Sequence, residues 1–179
     1  MPTYVAFLRA VNLGSTRKFP KDAVRAAAER AGFTDVDSYL NTGNLCVTTR
    51  KRSPARVEEA LEAAFLADRG FEVPTIVFGQ TELSELTSYA VGLGERFAPL
   101  ERHNVSLLRE APSAKVAAAV EAVSTEETRV VVHGRSVNLM WARATPGDVD
   151  PLGTSLARSL GVSTARTTKV LAEACRRWC

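Results

Sequence analysis

Thr3-Tyr4-Val5-Ala6-Phe7-Leu8, running into Arg9-Ala10-Val11-Asn12-Leu13-Gly14-Ser15, decides the fold when read with Val36-Asp37-Ser38-Tyr39-Leu40, Asn41-Thr42-Gly43-Asn44 and Leu45-Cys46-Val47-Thr48-Thr49. The opening run is apolar and β-rich, which predicts a buried strand over 3–9. The second stretch is two β-rich runs around a tip where Gly43 and an Asn take positive φ cheaply, so 36–40 and 45–49 read as a hairpin. Between them Ala23, Val24, Ala27, Ala28 and Ala31 recur at helical spacing. Pro20 suits the first turn of that helix and Gly32 its end.

Outward from there, Ser53 reads as an N-cap with Pro54 at the first helical position, opening a helix to about Asp68 that Gly70 ends. Val73 to Phe78 is a further strand, followed by a short helix from Thr81. The order β-α-β-β-α-β is that of a ferredoxin-like unit, with helices on one face of an antiparallel sheet. Residues 92–101 read as a loop and as the seam between halves. The pattern then resumes with a strand from His103 to Arg109, a helix from Pro112-Ser113 through Val123, and a hairpin of 129–133 and 137–141 around Gly134-Arg135. A turn at Thr145-Pro146-Gly147-Asp148, a helix over 151–160 and a last helix over 164–178 complete it. The fold expected is α+β: two ferredoxin-like halves, 1–92 and 100–179, the second ending in a basic helix, packed into one compact unit.

Composition narrows the function classes. Hydrophobic residues at 45% and charged residues at 24% are ordinary for a globular protein of 179 residues. No run of eighteen apolar residues is present, so no membrane span is expected, and the N-terminus lacks a secretory pattern. Cys46, Cys175 and Cys179 are an odd set, which argues for a reducing cytoplasm over a disulfide framework. The net charge is +3, and residues 164–179 alone carry it, with Arg166, Lys169, Arg176 and Arg177 against Glu173. Near-zero charge elsewhere makes nucleic acid an unlikely partner.

The candidate site is a set of cations and amides. Arg9, Asn12, Gly14 and Lys18 follow strand one, and Asn41, Thr42 and Asn44 sit in the hairpin tip. Arg and Lys supply charge, Asn and Thr neutral donors, and Gly14 and Gly43 room for close approach, the ingredients of a phosphate or carboxylate site. The competing reading gives Asn12, Asn41 and Asn44 local turn bonds and Gly43 a turn role only. Arg9, at the end of a strand expected to be buried, needs a partner or a ligand. Arg9, Asn12 and Gly14 are expected to border the principal pocket, joined by at least one of Lys18, Arg166 and Lys169 at the start of the last helix. Arg50-Lys51-Arg52 reads as a basic linker. His103 and His133 read as solvated or structurally bonded, and Asp148 and Asp150 as cap residues. Cys175 and Cys179 share a helix face without further metal ligands, and Gly92-Leu93-Gly94 lacks a nucleotide-loop continuation. No metal or cofactor is expected.

The run Leu8-Arg9-Ala10-Val11-Asn12-Leu13-Gly14, then Lys18, then Tyr39-Leu40-Asn41-Thr42-Gly43-Asn44-Leu45, resembles the signature of the DUF1697 family of bacterial proteins. His133-Gly134-Arg135, Leu152-Gly153 and Thr164-Ala165-Arg166 match its later landmarks, so the resemblance spans the chain. Ala10 and Ser15 stand where the family has glycines, and its usual tail is shortened to Arg166-Thr167-Thr168-Lys169-Val170. The resemblance implies two ferredoxin-like halves and no established activity. Three readings of function stay open: a binder of a small anionic ligand, an enzyme on a small polar substrate in the same pocket, and an interaction module acting through sheet edges.

Overall fold

The computed structural model describes residues 1–12, 17–41, 43–143 and 150–179, which form two compact units, Met1–Leu83 with Ala174–Cys179, and Ser84–Glu173. Gly14 and the turn expected at 145–148 lie outside the described residues.

In the first unit, strands β1 (Thr3–Leu8), β2 (Thr34–Tyr39), β3 (Asn44–Thr48) and β4 (Thr75–Gly79) form one antiparallel sheet in the order β2-β3-β1-β4. Helices α1 (Lys21–Arg30) and α2 (Pro54–Arg69) carry the intervening chain. Both bury their apolar stripes on one face: Val24, Ala27 and Ala28 of α1, and Val57, Leu61 and Phe65 of α2, share a core with Tyr4, Ala6, Leu8, Leu45, Val47 and Val77. The pleat turns Val5, Phe7, Ile76 and Phe78 to the opposite face, where all four are fully buried. Such a two-faced burial explains why β1 and β4 read as continuous apolar runs. The expected Ser53 cap is present: its hydroxyl accepts from the Arg56 N–H at 3.3 Å, Pro54 opens the helix, and Gly70 at φ 72° closes it.

The second unit repeats the arrangement. Helix α3 (Gln80–Arg96), whose first four residues belong to the first unit, leads into β5 (Arg102–Leu108), α4 (Ala114–Glu121), β6 (Thr128–His133), β7 (Ser136–Trp141), α5 (Gly153–Ser159), β8 (Ser163–Thr167) and α6 (Thr168–Trp178), whose residues from Ala174 belong to the first unit. The sheet order is β6-β7-β5-β8, again antiparallel with its first strand inside. Val120 of α4 and Leu152 and Leu160 around α5 pack against Leu108, Val130, Val137, Leu139 and Trp141.

Two expectations are corrected. Residues 92–96 are helical, because Leu83, Leu86, Ala90 and Leu93 continue one buried stripe at helical spacing. Gly92 and Gly94 cost that helix about 1 kcal/mol each, less than the buried leucines contribute. The expected start of the last helix at Thr164 is also wrong. Residues 163–167 alternate in burial and pair with β5, from Leu108↔Ser163 to Asn104↔Thr167. The second unit thereby gains the sixth element that the first already had.

Candidate anion site

At the end of β1, the two polar loops come together. β1 pairs with β3 in the register Phe7↔Asn44, and β2 pairs with β3 through Tyr39↔Asn44, so the hairpin tip lies at the same end of the sheet as Leu8. The Leu8 N–H donates to the Gly43 carbonyl at 2.8 Å. A Cβ on Gly43 would stand 2.6 Å from Leu8 Cβ and 3.0 Å from Val11 Cγ2, and its φ is +78°, so this position tolerates only glycine. Asn12 clamps the turn. Its Oδ1 accepts from Phe19 N at 2.8 Å, and its Nδ2 donates to the Phe19 carbonyl at 3.0 Å and to the Asn41 carbonyl.

For Asn12 and Asn44 the bonds favour the turn-forming reading over the ligand-binding one. Asn12 spends its amide on the backbone, and Asn44, buried, donates through Nδ2 to the Tyr39 carbonyl at 2.8 Å. Arg9 is exposed, contrary to the burial expected for it, because the chain has turned out of the sheet; only its N–H stays in register, donating to Pro74 O at 2.8 Å. Arg17, not singled out from sequence, holds the loop. Its Nε donates to the Ala10 carbonyl at 3.0 Å, its Nη2 to the Glu72 carbonyl, and its guanidinium lies over the Phe71 ring at 4.9 Å. Lys18 and Asn41 are exposed at this end of the sheet.

Arg166 and Lys169 belong to the second unit. Arg166 lies on β8, not at the start of α6, and is buried. Its Nη1 donates to Thr164 Oγ1 at 2.9 Å and to the Ala165 carbonyl at 2.8 Å, and burial lowers its pKa to about 10. Lys169 is exposed in the first turn of α6.

A concave site lies elsewhere, where the sequence reading had only a linker. Arg50, Lys51, Arg52, Ser53 and Arg56 line a cleft of about 480 Å³ between β3 and α2. Backbone and hydroxyl bonds hold its floor: Thr49 N donates to Pro2 O at 3.1 Å, Tyr4 Oη to Lys51 O at 3.2 Å, and Lys51 N to Thr49 Oγ1 at 3.3 Å. The cap on Ser53 then fixes the first turn of α2, which carries Arg56. Among the described residues none of the four cations has a carboxylate within ion-pair distance. Since Thr3 pairs with Thr48 at one end of the sheet and Phe7 with Asn44 at the other, the cleft and Arg9 lie at opposite ends of β1. Six residues of strand separate them by about 17 Å. One small anion therefore reaches one cluster or the other. A run of three cations directly before a Ser-Pro helix start is the signal in the sequence that marks this cleft.

Groups suited to catalysis are engaged or muted. His103 is buried with Nε2 3.0 Å from Asn138 Oδ1, and desolvation lowers its pKa despite that bond. His133 is exposed and stacks on Tyr89 with ring centroids 3.7 Å apart. Burial, with Asp37 and Asp35 adding, pushes the Cys46 thiol up to about 11, and burial with the neighbouring Cys175 pushes Cys179 up to about 12. Neither is a thiolate nucleophile at neutral pH. Asp150 caps, accepting from Leu152 N at 3.0 Å. Among the described residues no group of three or more His, Cys, Asp or Glu side chains is placed to hold a metal ion, and no helix is long and apolar enough to cross a membrane.

Residues 1–137 match the model of a family described as a protein of unknown function (DUF1697). Among curated proteins the chain finds no match. Among solved structures it is similar to a conserved bacterial protein from Streptococcus pneumoniae, with a TM-score of 0.70 and 19% identity over 98% of this chain and 97% of that one. At that identity the likeness concerns the fold.

Proposed function

The chain belongs to the DUF1697 family, and since that membership brings no activity with it, we propose from the geometry that the protein binds a phosphate-bearing anion in the cleft at Arg50, Lys51, Arg52 and Arg56. The observation that carries this reading is the gathering of four cations around one concave site whose lining contains no carboxylate. Like charges so close repel one another in the free protein, and an anion relieves that repulsion while satisfying the guanidinium donors. The N-terminal end of α2 adds potential of the same sign.

The exposed cations Arg9 and Lys18 support a second reading, a small phosphate or carboxylate at the loop after β1, where Asn12 bonds to the Phe19 backbone. An enzyme on a small polar substrate is the weaker alternative, since His103, Cys46 and Cys179 are buried or raised out of their useful range. We also read each unit as ferredoxin-like, on its strand order, and the three free cysteines as fitting a cytoplasmic protein.

Thermal unfolding in phosphate against chloride of equal ionic strength tests the proposal. At a phosphate concentration a hundred times the dissociation constant the native state gains about 2.7 kcal/mol. The double substitution Arg52→Gln/Arg56→Gln is expected to abolish that gain, and Arg9→Gln/Lys18→Gln to leave it intact. Loss in the second variant alone moves the site to the loop after β1.

A further inference from the structure

We infer that the ligand of this cleft carries two or more linked phosphates and is recognised through them alone, as an inorganic polyphosphate or the phosphate tail of a larger molecule. The inference rests on the anion-binding reading above and narrows it to a substrate class.

Charge supplies the first argument. The lining offers four positive charges and no negative one, whereas a single phosphate brings at most two negative charges and three acceptor oxygens free of its ester. One phosphate leaves half of the cationic charge unmatched. A diphosphate or triphosphate matches the charge and gives each guanidinium its own pair of oxygens, the bidentate arrangement in which arginine binds best.

Size and shape supply the second. The cleft, of about 480 Å³ and open to solvent, leaves room for more than one phosphate. The cations cluster within seven residues, Arg50 to Arg56, instead of tracking along a groove as a single-stranded nucleic acid requires.

The third argument comes from what the lining lacks. It contains no aromatic ring to stack on a base and no carboxylate to hold ribose hydroxyls. Tyr4, which donates its hydroxyl to the Lys51 carbonyl, is buried. Any nucleoside attached to the phosphates would project into solvent and add no affinity.

Isothermal titration of the intact protein with inorganic phosphate, pyrophosphate, tripolyphosphate, ATP, citrate and a decathymidylate strand decides the matter. Affinity is expected to rise about tenfold or more from phosphate to pyrophosphate as a second guanidinium pair is engaged, with ATP equal to tripolyphosphate. Arg52→Gln/Arg56→Gln, two exposed positions, is expected to erase the difference between pyrophosphate and phosphate. Equal affinity for phosphate and pyrophosphate would overturn this inference and leave the anion-binding reading standing. No binding by any of the six would remove both. Citrate matching tripolyphosphate, or the oligonucleotide exceeding it at equal phosphate concentration, would also overturn it.

Discussion

Ala10 holds a φ of 55° and Asn12 one of 56°, and the turn after β1 is built on those two left-handed residues. Asn tolerates that region and repays it with three side-chain bonds, whereas Ala has no compensation. Ala10→Gly is therefore expected to stabilise the protein by about 1 kcal/mol, measured by denaturant unfolding. Gly43→Ala, with its contacts to Leu8 and Val11, is expected to cost about 3 kcal/mol from strain and overpacking together. The competing reading from sequence, turn bonds for Asn12 and Asn44 and a turn role for Gly43, is the one these bonds support, whereas the reach of Asn12 to the hairpin tip was not legible, since its partner there lies in another loop. Arg9 misled because a strand-end charge was assumed to follow the strand into the core. His103 gives a pH prediction at the same scale. Its pKa is lowered in the folded state, so the unfolded chain binds the extra proton and stability falls as pH drops below about 6.5. Melting between pH 7.5 and 5.5 is expected to decline in the parent and to decline less in His103→Gln.

Edge strands carry the element-scale argument. β4 lies at the edge of its sheet, yet Thr75 N donates to Glu62 Oε1 at 2.8 Å and Val77 N to Glu58 Oε1 at 2.9 Å. In the second unit, at the β6 edge, Val130 N donates to Ser124 Oγ at 3.0 Å and Val132 N to Glu121 Oε1 at 2.8 Å. At β2, Trp178 Nε1 donates to Asp37 Oδ2 at 2.8 Å and the Arg177 guanidinium lies over Tyr39 at 4.6 Å. At β4 and β6 side chains thus occupy ladder donors that strand pairing with a partner would need, which weighs against association through those two edges. Glu58→Ala is expected to cost about 2 kcal/mol, since it orphans the buried Val77 N–H that its Oε1 accepts from, and Glu58→Gln less than half of that. Chemical denaturation of both variants checks it. Elements with a strong period were legible: β1, the first hairpin and α2 fall within two residues of their expected bounds. β8 was not. Thr164, Arg166 and Thr167 carry no apolar alternation, and only pairing with β5 makes them a strand.

Across the whole molecule, the decisive quantity is where the positive charge sits. Arg50, Lys51, Arg52 and Arg56 together exceed the net charge of +3 of the entire chain, so the remainder is slightly negative. The sequence reading placed the charge in the C-terminal segment, where Arg166 proves to be buried on a strand and Arg177 covers a tyrosine. The run of cations at 50–56 was legible as charge, and what periodicity does not report is that the chain there folds around one cleft. Amide chemical shifts of uniformly labelled protein, followed during titration with pyrophosphate, test the central claim most directly. Saturable shifts are expected at residues 50–53 and 55–57, with the amides of Arg9, Lys18 and Asn41, at the other end of the sheet, unmoved. Shifts confined to those three residues, or no saturable shift anywhere, would contradict the assignment of the cleft as the anion site.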